Sequence, residues 1–318
     1  MTQIQTALVL GATGNIGGEV ARRLADRGWQ VRALHRHPEA LPHKDPRFQW
    51  IKGDAMVRDD VIQGARGSEL IVHAVNPPGY RNWGALVLPM IESSLAAARA
   101  SGARILLPGT VYNYSPDTFP PIDEGAPQRP LSRKGAIRAE MERRLEAASA
   151  EGVRTLIVRT GDYFGPGSGG SWFTGVMVKR SKPLHRLIYP GTPGTGHQWA
   201  YIPDVAETMI RLLEQDRLPT FATYHMAGHW DEDGRQMIES IRNAVGLDLK
   251  ARAFPWWLLP VAAPFSELFR ELREMRYLWQ EAIRLDNRKL VSQLGQEPHT
   301  PLQQAVRETL RDLGVSTA

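Results

Sequence analysis

Short apolar runs alternate with segments of helical periodicity along the first half of the chain. The run Thr6–Leu10 ends in glycines and is followed by apolar residues at Ile16, Val20 and Leu24. An apolar run of this length predicts a buried strand, and the spacing that follows it predicts an amphipathic helix ending at Gly28. The same alternation predicts strands at Gln30–Leu34, Phe48–Ile51, Leu70–Ala74, Arg104–Leu107 and Arg154–Arg159, with helices at Val87–Ala100 and Ser132–Ala150.

Strands separated by helices of this length indicate parallel βαβ units with right-handed crossovers. The predicted fold class is therefore α/β, with a doubly wound parallel sheet and a smaller, mixed C-terminal region. We expect residues 1–165 to form the doubly wound domain and residues 166–318 to be mostly substrate-binding. Val205–Glu214 and Tyr224–Ala227 have helix and strand patterns of their own, and we expect both to return to the doubly wound core.

The pattern changes after Gly165. Residues 165–200 are rich in Gly, Pro and aromatic residues, which is typical of loops and short elements, and helices are predicted at 234–245 and 266–284. Six of the nine tryptophans lie in this half of the chain, at Trp172, Trp199, Trp230, Trp256, Trp257 and Trp279. This enrichment indicates an aromatic pocket wall, with core packing as the alternative for at least half of these side chains.

The amino-acid composition is that of a globular protein and excludes several kinds of site. The 318 residues are 42% hydrophobic and 23% charged, as expected of a globular enzyme. The absence of cysteine excludes disulfides, thiolate metal sites and cysteine nucleophiles, and it fits a cytoplasmic location. The net charge of +5 is mild and scattered, with pairs such as Arg22 and Arg23 lying beside acidic residues on predicted helices, so we expect no nucleic-acid partner.

Membrane insertion is not expected either. The N-terminal stretch MTQIQTALVLGA lacks the basic and long apolar regions of a targeting segment. The longest apolar run, from Phe254 to Phe265, is interrupted by Pro255, Pro260 and Pro264, and it is too short to span a bilayer. We interpret it as a hydrophobic cover over a pocket, with an interfacial membrane contact as the alternative.

A glycine-rich loop carries the strongest functional signal. In LVLGATGNIGGEVARRL, Gly11, Gly14 and Gly17 follow a predicted strand directly and open a predicted helix. The first glycine of such a loop allows a tight turn, the second allows close approach of a pyrophosphate, and the third allows close helix–strand packing. Backbone N–H groups would face the phosphates at the helix N-terminus, from Thr13, Gly14, Asn15 and Ile16. We therefore expect a dinucleotide cofactor.

The end of the second predicted strand favours NADP over NAD. An NAD site has an acidic residue here that binds the ribose 2′-hydroxyl, but the stretch from Arg32 to His37 contains no carboxylate. Arg36, with His35 or His37, could pair with a 2′-phosphate, because a guanidinium suits phosphate oxygens. A solvated basic turn is the alternative interpretation.

From about residue 5 to residue 230, the chain resembles the extended short-chain dehydrogenases/reductases, which include the NAD-dependent epimerases and dehydratases and have a Rossmann-like fold. GATGNIG resembles the glycine motif of this superfamily. By the same resemblance, Asp54 and Ala55 would contact adenine, and Ala74, Val75 and Asn76 would lie under the nicotinamide ribose. Further matching segments are DEGAPQRPLS at 123–132, RTGDYFGPG at 159–167 and YIPDVA at 201–206.

The catalytic positions depart from this superfamily. Its proton donor is the Tyr of Y-x-x-x-K on the long helix, where this chain has Lys134 and Arg138 in the sequence LSRKGAIRAEME. The supporting hydroxyl falls at Pro108 in LLPGTVYNY, with Thr110 two residues later. The usual hydroxyl–Tyr–Lys triad is therefore absent, which puts the ordinary alcohol-dehydrogenase or epimerase mechanism in doubt.

The isoflavone reductase-like branch resembles this departure, because its members carry K-x-x-x-R here, with lysine as the acid/base and NADPH as the cofactor. Residues four apart share a helix face, so Lys134 and Arg138 match this arrangement. A dry pocket and a neighbouring guanidinium would tune the lysine for proton transfer. A surface lysine in a degenerate site is the alternative interpretation.

Candidate substrate-binding residues follow the strands or lie in the aromatic half. They are Tyr114, Trp172, His197, Trp199 and Trp230. His225 and His229 are four apart, but the strand pattern before them and Gly228 argue against a metal site, so none is expected.

Three functions remain open from the sequence. The first is an NADP(H)-dependent oxidoreductase acting on an apolar or aromatic carbonyl or conjugated substrate, with catalytic residues Lys134, Arg138 and Thr110. The second is a non-catalytic NADP(H)-binding sensor or scaffold, and the third is an epimerase or dehydratase with bound cofactor. The resemblance also implies a homodimer through the helices Pro89–Ala100 and Ser132–Ala150.

Overall fold

The computed structural model describes residues 4–77, 82–118, 121–180, 184–265 and 267–317. The chain divides into two compact units. Unit 1 comprises Met1–Gly109, Ala136–Val158 and Ala206–Tyr224, and unit 2 comprises Thr110–Gly135, Arg159–Val205 and His225–Ala318. The chain passes between the units repeatedly, so residues 110–135 and 159–165 belong to unit 2 although they precede the boundary expected at 165.

The described residues form strands and helices in the following order along the chain. The strands are β1 (Thr6–Leu10), β2 (Gln30–His35), β3 (Phe48–Lys52), β4 (Leu70–His73), β5 (Arg104–Thr110), β6 (Thr155–Thr160), β7 (Asp162–Phe164), β8 (Arg186–Tyr189), β9 (His197–Tyr201), β10 (Phe221–His225), β11 (His229–Asp231) and β12 (Lys250–Ala253). The helices are α1 (Asn15–Asp26), α2 (Arg58–Gly64), α3 (Trp83–Ser101), α4 (Arg133–Ser149), α5 (Ile202–Leu213), α6 (Gln236–Val245), α7 (Leu259–Ala262), α8 (Glu267–Glu274), α9 (Arg288–Leu294) and α10 (Leu302–Asp312).

A seven-stranded sheet confirms the predicted α/β class. Its order is β10-β6-β5-β4-β1-β2-β3, and β1 to β5 pair in parallel. In the interior strand β1, Val9 lies opposite Ala33 of β2 and Val72 of β4. Every residue of β1 is buried, as expected for a parallel strand covered on both faces. The strand predicted near Tyr224 returns to this sheet as β10.

Each unit has its own apolar core. In unit 1, side chains of the parallel strands, such as Leu8 and Ile71, pack with Ile91 of α3 and Leu145 of α4. In unit 2 the core is more aromatic, and it includes Phe164, Phe173, Trp199, Tyr201 and Trp279. The predicted concentration of tryptophan after residue 165 is therefore in large part a property of the unit 2 core.

Unit 2 contains two small sheets. In the first, β9 lies between β7 and β11, parallel to β7 and antiparallel to β11. In the second, β8 and β12 form a parallel pair. The sequence predicted only loops and short elements for residues 165–200, and both β8 and β9 are short enough to fit that prediction.

The helix predicted for residues 266–284 is too long. Within the described part of this segment, α8 ends at Glu274, and Arg276–Trp279 forms a 3-10 turn. The tighter turn accompanies burial of Leu278 and Trp279 and a hydrogen bond from the Tyr277 hydroxyl to the Tyr114 carbonyl oxygen. Tertiary contacts therefore override the local helical pattern here.

The apolar run from Phe254 to Phe265 folds into short elements. A 3-10 turn at Trp256–Leu258 leads into the one-turn helix α7, and a second 3-10 turn follows at Ala263–Phe265. Over the ranges that the structure describes, no helix is both long enough and apolar enough to cross a membrane.

Gln198 links three segments inside unit 2. Its side chain is buried on β9, and its amide nitrogen donates to the carbonyl oxygens of Met226 and Ala227. Its amide oxygen accepts a hydrogen bond from the backbone N–H of Leu285 at 2.9 Å. One side chain thus satisfies backbone groups of two other segments, and an apolar residue could satisfy none of them.

We expect Gln198→Leu to lower the free energy of unfolding by about 3 kcal/mol or more, because each buried backbone group left without a partner costs about 1–3 kcal/mol. The measurement is urea unfolding followed by tryptophan fluorescence. Gln49→Leu, at an exposed position of β3, is the matched control and should change stability by less than about 0.5 kcal/mol. A loss under about 1 kcal/mol in Gln198→Leu would contradict the bridging role.

Candidate active site

The loop between β1 and α1 in unit 1 has the shape that a dinucleotide needs. Gly11 has φ +93°, and a side chain at Gly17 would overlap the Gly11 carbonyl oxygen and lie 2.9 Å from the Ala74 Cβ atom. Gly14 is the N-cap of α1, with no side-chain cap and no acidic residue in the first turn. A helix N-terminus that is preceded by glycines leaves room for the pyrophosphate of a dinucleotide close to the backbone. The residues of this loop therefore fit a dinucleotide cofactor.

Other residues predicted to bind cofactor follow neighbouring strands at the same edge of the sheet. Arg36 comes directly after β2 and is exposed, and Asp54 comes two residues after β3. The Asp54 carboxylate accepts a hydrogen bond from the Met56 N–H at 2.9 Å, which holds it in a tight turn. Ala74 continues β4, and its N–H donates to the Leu10 carbonyl oxygen. Parallel strands bring these carboxyl ends together in unit 1.

Arg138 on α4 contacts the chain that follows β4. Its guanidinium donates to the Asn76 side-chain oxygen at 2.6 Å and lies 5.1 Å from the centre of the Trp83 ring. Two residues that the sequence assigned to separate roles, catalytic Arg138 and cofactor-binding Asn76, are therefore hydrogen-bonded in unit 1. The contact explains how α4 can hold the segment after β4 in place.

His73, the last residue of β4, is buried beneath this contact. Its Nδ1 atom lies 2.8 Å from the Ser94 hydroxyl of α3. Burial is the main cause that lowers the pKa of His73 to about 3, and the nearby charge of Arg138 adds to it. The imidazole is therefore neutral near pH 7, and it packs rather than carrying charge.

Lys134 lies in the first turn of α4, in unit 2. The Ser132 hydroxyl accepts a hydrogen bond from the Gly135 N–H and so caps this end of the helix. The Lys134 side chain is only 7% exposed, and its ammonium lies 3.3 Å from a carboxylate oxygen of Glu271, which is equally buried on α8. The sequence placed a guanidinium near this lysine, whereas the structure adds a carboxylate, which stabilises the ammonium form.

Two further contacts hold the α8 segment against the start of α4. A Glu274 carboxylate oxygen accepts a hydrogen bond from the Arg133 N–H at 2.8 Å. The Tyr277 hydroxyl lies beside Ser132 and donates to the Tyr114 carbonyl oxygen, and burial raises the pKa of Tyr277 to about 12. Both contacts follow Glu271 along the chain and fix the segment that places Glu271 beside Lys134.

Thr110, the third predicted catalytic residue, ends β5 in unit 2. Its hydroxyl oxygen accepts a hydrogen bond from the Tyr112 N–H at 3.1 Å and caps the short 3-10 turn Val111–Asn113. An accepting hydroxyl keeps its own proton free to donate.

Tyr114 has no exposed surface and belongs to a buried polar network. Its hydroxyl accepts from the Arg159 guanidinium at 2.8 Å and lies 3.1 Å from the His225 Nε2 atom. The His225 Nδ1 atom faces the Ile122 carbonyl oxygen, which can only accept, so Nδ1 carries the proton. Burial, followed by the charge of Arg159, lowers the pKa of His225 to about 3. In this structure Tyr114 joins segments of unit 2 and offers no surface to a substrate.

The other predicted substrate residues occupy three different environments in unit 2. Trp199 is fully buried beside Phe164. His197 stacks on Trp279 with ring centres 3.8 Å apart, and its Nε2 atom lies 3.0 Å from an Asp162 carboxylate oxygen.

Trp172 is half-buried and contacts the rings of Phe254, Trp256 and Trp279. Trp230 lies apart from these rings, under the guanidinium of Arg284. Of the five predicted residues, Trp172 and Trp230 are half-buried, and the other three are buried.

His225 and His229 do not converge on a common point. His229 packs against Phe164 and His299, and burial lowers its pKa to about 4. Among the described residues, no group of three or more His, Asp or Glu side chains is arranged to hold a metal ion.

Glu271, Asp162 and His73 are among the polar residues at these places to which the sequence analysis assigned no role. Glu271 is 137 positions from Lys134, and no spacing rule connects them. Its one local signal is its place on α8 among alternating Glu and Arg residues, a pattern that more often marks a solvated helix face.

Curated proteins similar to this chain include reductases. A "3-diazoavenalumate denitrifying reductase" of a Streptomyces species is 31% identical over 180 residues, which cover 51% of this chain and 57% of that protein. A "ceramide reductase" of Caulobacter vibrioides is 26% identical over 163 residues, covering 50% of this chain and 46% of that protein. The chain thus matches about half the length of these relatives.

Solved structures with the same fold include sugar-nucleotide epimerases. A UDP-galactose 4-epimerase aligns with a TM-score of 0.73 at 18% identity, over 98% of this chain and 99% of that one. The UDP-glucose 4-epimerase from Bifidobacterium longum, in complex with NAD+ and UDP, aligns with a TM-score of 0.77 at 14% identity, over 98% of both chains. At identities this low, the likeness shows a shared fold and does not extend to function.

The sequence profile of the NAD-dependent epimerase/dehydratase family matches residues 7–227, which span both the glycine loop and the helix α4. This match agrees with the glycine loop, the parallel sheet and the strand-end residues described above. The chain belongs to the NAD-dependent epimerase/dehydratase family.

Proposed function

We propose that this protein is an NADP(H)-dependent oxidoreductase that transfers hydride to or from an apolar or aromatic carbonyl or conjugated substrate. The observation that carries the proposal is the buried ion pair of Lys134 with Glu271 at the start of α4. A buried charge is costly, and such charges concentrate at functional sites. The names of the two curated relatives, both reductases, support the same reaction class.

Lys134 is the acid/base in this proposal. In the direction of reduction, its ammonium donates a proton to the substrate oxygen as hydride reaches the carbon, and in oxidation the neutral amine takes the proton back. A bound nicotinamide ring would supply or accept the hydride. Glu271 holds the Lys134 ammonium in place and favours its charged form. Glu271 is therefore a positioning residue.

Arg138 and Thr110 have supporting roles. Arg138, bonded to Asn76, orients the segment after β4 on which the nicotinamide ribose would rest. The Thr110 hydroxyl, which accepts from Tyr112, can donate a hydrogen bond to a substrate oxygen.

Aromatic surface in unit 2 supports an apolar or aromatic substrate. The half-buried Trp172 and Trp256 lie with ring centres 5.7 Å apart, next to Phe254. Partly exposed rings that contact each other offer apolar area with few polar groups.

Arg36 supports the choice of NADP. It is exposed directly after β2, and no carboxylate occurs between Arg32 and His37. The 2′-phosphate of NADP has the charge and geometry that a guanidinium binds best.

The family match favours a second candidate, epimerisation or dehydration with a cofactor that is regenerated in each cycle. The two candidates differ in stoichiometry. An epimerase or dehydratase converts substrate with no net consumption of NADPH, whereas the proposed reductase consumes one NADPH for each substrate molecule.

We expect Lys134→Met to lower kcat at least about a hundredfold, the usual contribution of a positioned acid/base, while NADPH binding stays unchanged. The measurements are NADPH oxidation over a panel of aromatic and long-chain carbonyl substrates and quenching of tryptophan emission on NADPH titration. Lys179→Met removes an exposed lysine of unit 2 and is the matched control. Full activity in Lys134→Met would remove the lysine from the mechanism, and an inactive wild type that still binds NADPH would favour the sensor.

We expect Glu271→Gln to reduce turnover and to move the alkaline fall of the pH–rate profile to lower pH. Without the carboxylate the ammonium of Lys134 loses its stabilising charge, and the proton needed for reduction leaves at lower pH. Glu271→Asp should restore part of the wild-type profile. An unchanged profile in Glu271→Gln, with a folded protein by circular dichroism, would show that the ion pair has no role in proton transfer.

We expect Arg36→Ala to weaken NADPH binding about tenfold, since a charge-assisted bond to phosphate contributes about 1.5–3 kcal/mol, and to leave NADH binding as it is. Fluorescence titration with each nucleotide measures both constants. Arg47→Ala, with the guanidinium paired to Asp45 and Asp26, is the control. Equal loss for both nucleotides would rule out recognition of the 2′-phosphate by Arg36.

A further inference from the structure

Large apolar side chains are exposed in a cluster between positions 257 and 269 of unit 2. Trp257, Leu258, Val261 and Phe269 are 72, 43, 69 and 37% exposed. Leu258 and Val261 are three residues apart where the 3-10 turn runs into α7, so they share a face, and α7 packs against α8, which carries Phe269. We call these four side chains the apolar patch. Exposed apolar residues gathered in this way mark a contact surface.

Exposed basic side chains precede and follow the apolar patch along the chain. Lys250 and Arg252 lie on the exposed strand β12, just before it in sequence, and Arg270, Arg273 and Arg276 lie on α8 or directly after it. All five are exposed. We call them the basic rim.

Two carboxylates of α8 are used inside unit 2. Glu271 is buried against Lys134, and Glu274 accepts the hydrogen bond from the Arg133 N–H. Arg270 and Arg273, one residue before each of them, are exposed beside Phe269. Both carboxylates thus contact the start of α4, while two arginines and one aromatic ring of α8 are exposed to the solvent.

The apolar patch and the basic rim together favour a partner that has both negative charge and an apolar interior. A second copy of the chain docked on the same face would bring two basic rims together, because a twofold interface joins the same patch on both copies. A surface of anionic lipid headgroups neutralises the rim and accepts tryptophan and aliphatic side chains at its boundary. The run is too short to span a bilayer, so the contact is peripheral.

We propose that the apolar patch and basic rim dock the protein on a membrane surface that carries anionic lipids. Trp257 and Val261 enter the headgroup boundary, while the arginines of α8 pair with lipid phosphates. Because α8 also holds Glu271 against Lys134, docking brings the lipid phase to the helix that supports this lysine. The docking itself does not depend on the proposed reaction.

The test is co-sedimentation of the full chain with vesicles of phosphatidylcholine, with and without phosphatidylglycerol. We expect binding to the anionic vesicles, with Arg270→Glu/Arg273→Glu weakening it about tenfold or more, since each basic residue near the surface contributes to the attraction. Trp257→Ala/Val261→Asp should also lose binding. Val57→Asp, at an exposed apolar position of unit 1, is the matched control and should bind as the wild type does.

Circular dichroism and thermal melting establish that the variants remain folded. Absence of wild-type binding, or equal binding to both kinds of vesicle, would overturn the proposal. So would light scattering that shows a dimer dissociated by Trp257→Ala/Val261→Asp without any vesicle binding, since the patch would then be covered by a second copy.

Discussion

An ammonium group buried at the start of α4 constrains the part of unit 2 around it. A lysine with so little access to water needs an opposite charge close by, and Glu271 supplies it at 3.3 Å. Glu271 comes from α8, so α8 must lie against α4. The bond between Glu274 and the Arg133 backbone and the bond between Tyr277 and the Tyr114 carbonyl oxygen secure that position. The need of the buried Lys134 ammonium for an opposite charge thus favours packing of the distant segment α8 against the start of α4.

In unit 1, the packing at the glycine loop depends on the close approach of one backbone segment to another, and no charged pair of the described residues is involved in that approach. The loop after β1 passes so near Ala74 that a side chain at Gly17 would not fit. Arg138 contacts the segment after β4 through Asn76, and burial, with the charge of Arg138 as a smaller cause, keeps His73 neutral. The helix α4 therefore makes two different polar contacts along its length, the ion pair of Lys134 in its first turn and the hydrogen bond from Arg138 to Asn76 one turn later.

Two carboxylates of α8, from Glu271 and Glu274, contact the start of α4, whereas Arg270 and Arg273 are exposed. The exposed arginines of α8 lie close in sequence to the exposed aromatic and aliphatic residues of the neighbouring turns, whereas Glu271 is paired with Lys134. The alternation of Glu and Arg suggests a fully solvated helix face, but in the structure one of these residues, Glu271, is buried against Lys134. The same short helix supports the candidate acid/base and forms part of an apolar and basic surface.

Much of unit 1 could be predicted from local sequence, because its signals are local. The strand β1, the glycine loop and α1 are contiguous, and each has a pattern with a direct physical cause. Unit 2 was less predictable because its elements are short and its contacts are distant in sequence. Gln198 satisfies backbone groups at Met226 and Leu285, and α8 ends early where Tyr277 and Trp279 are drawn into tertiary contacts.

The sequence by itself determined the α/β fold class, the dinucleotide loop and the departure of Lys134 and Arg138 from the usual catalytic pair, because periodicity, glycine spacing and residue identity are properties of neighbouring positions. Only the tertiary structure decided that Lys134 is buried against Glu271, that Arg138 binds Asn76, and that Tyr114 and Trp199 are enclosed in unit 2. Burial and charge pairing depend on which distant segments pack together, and no local pattern specifies that.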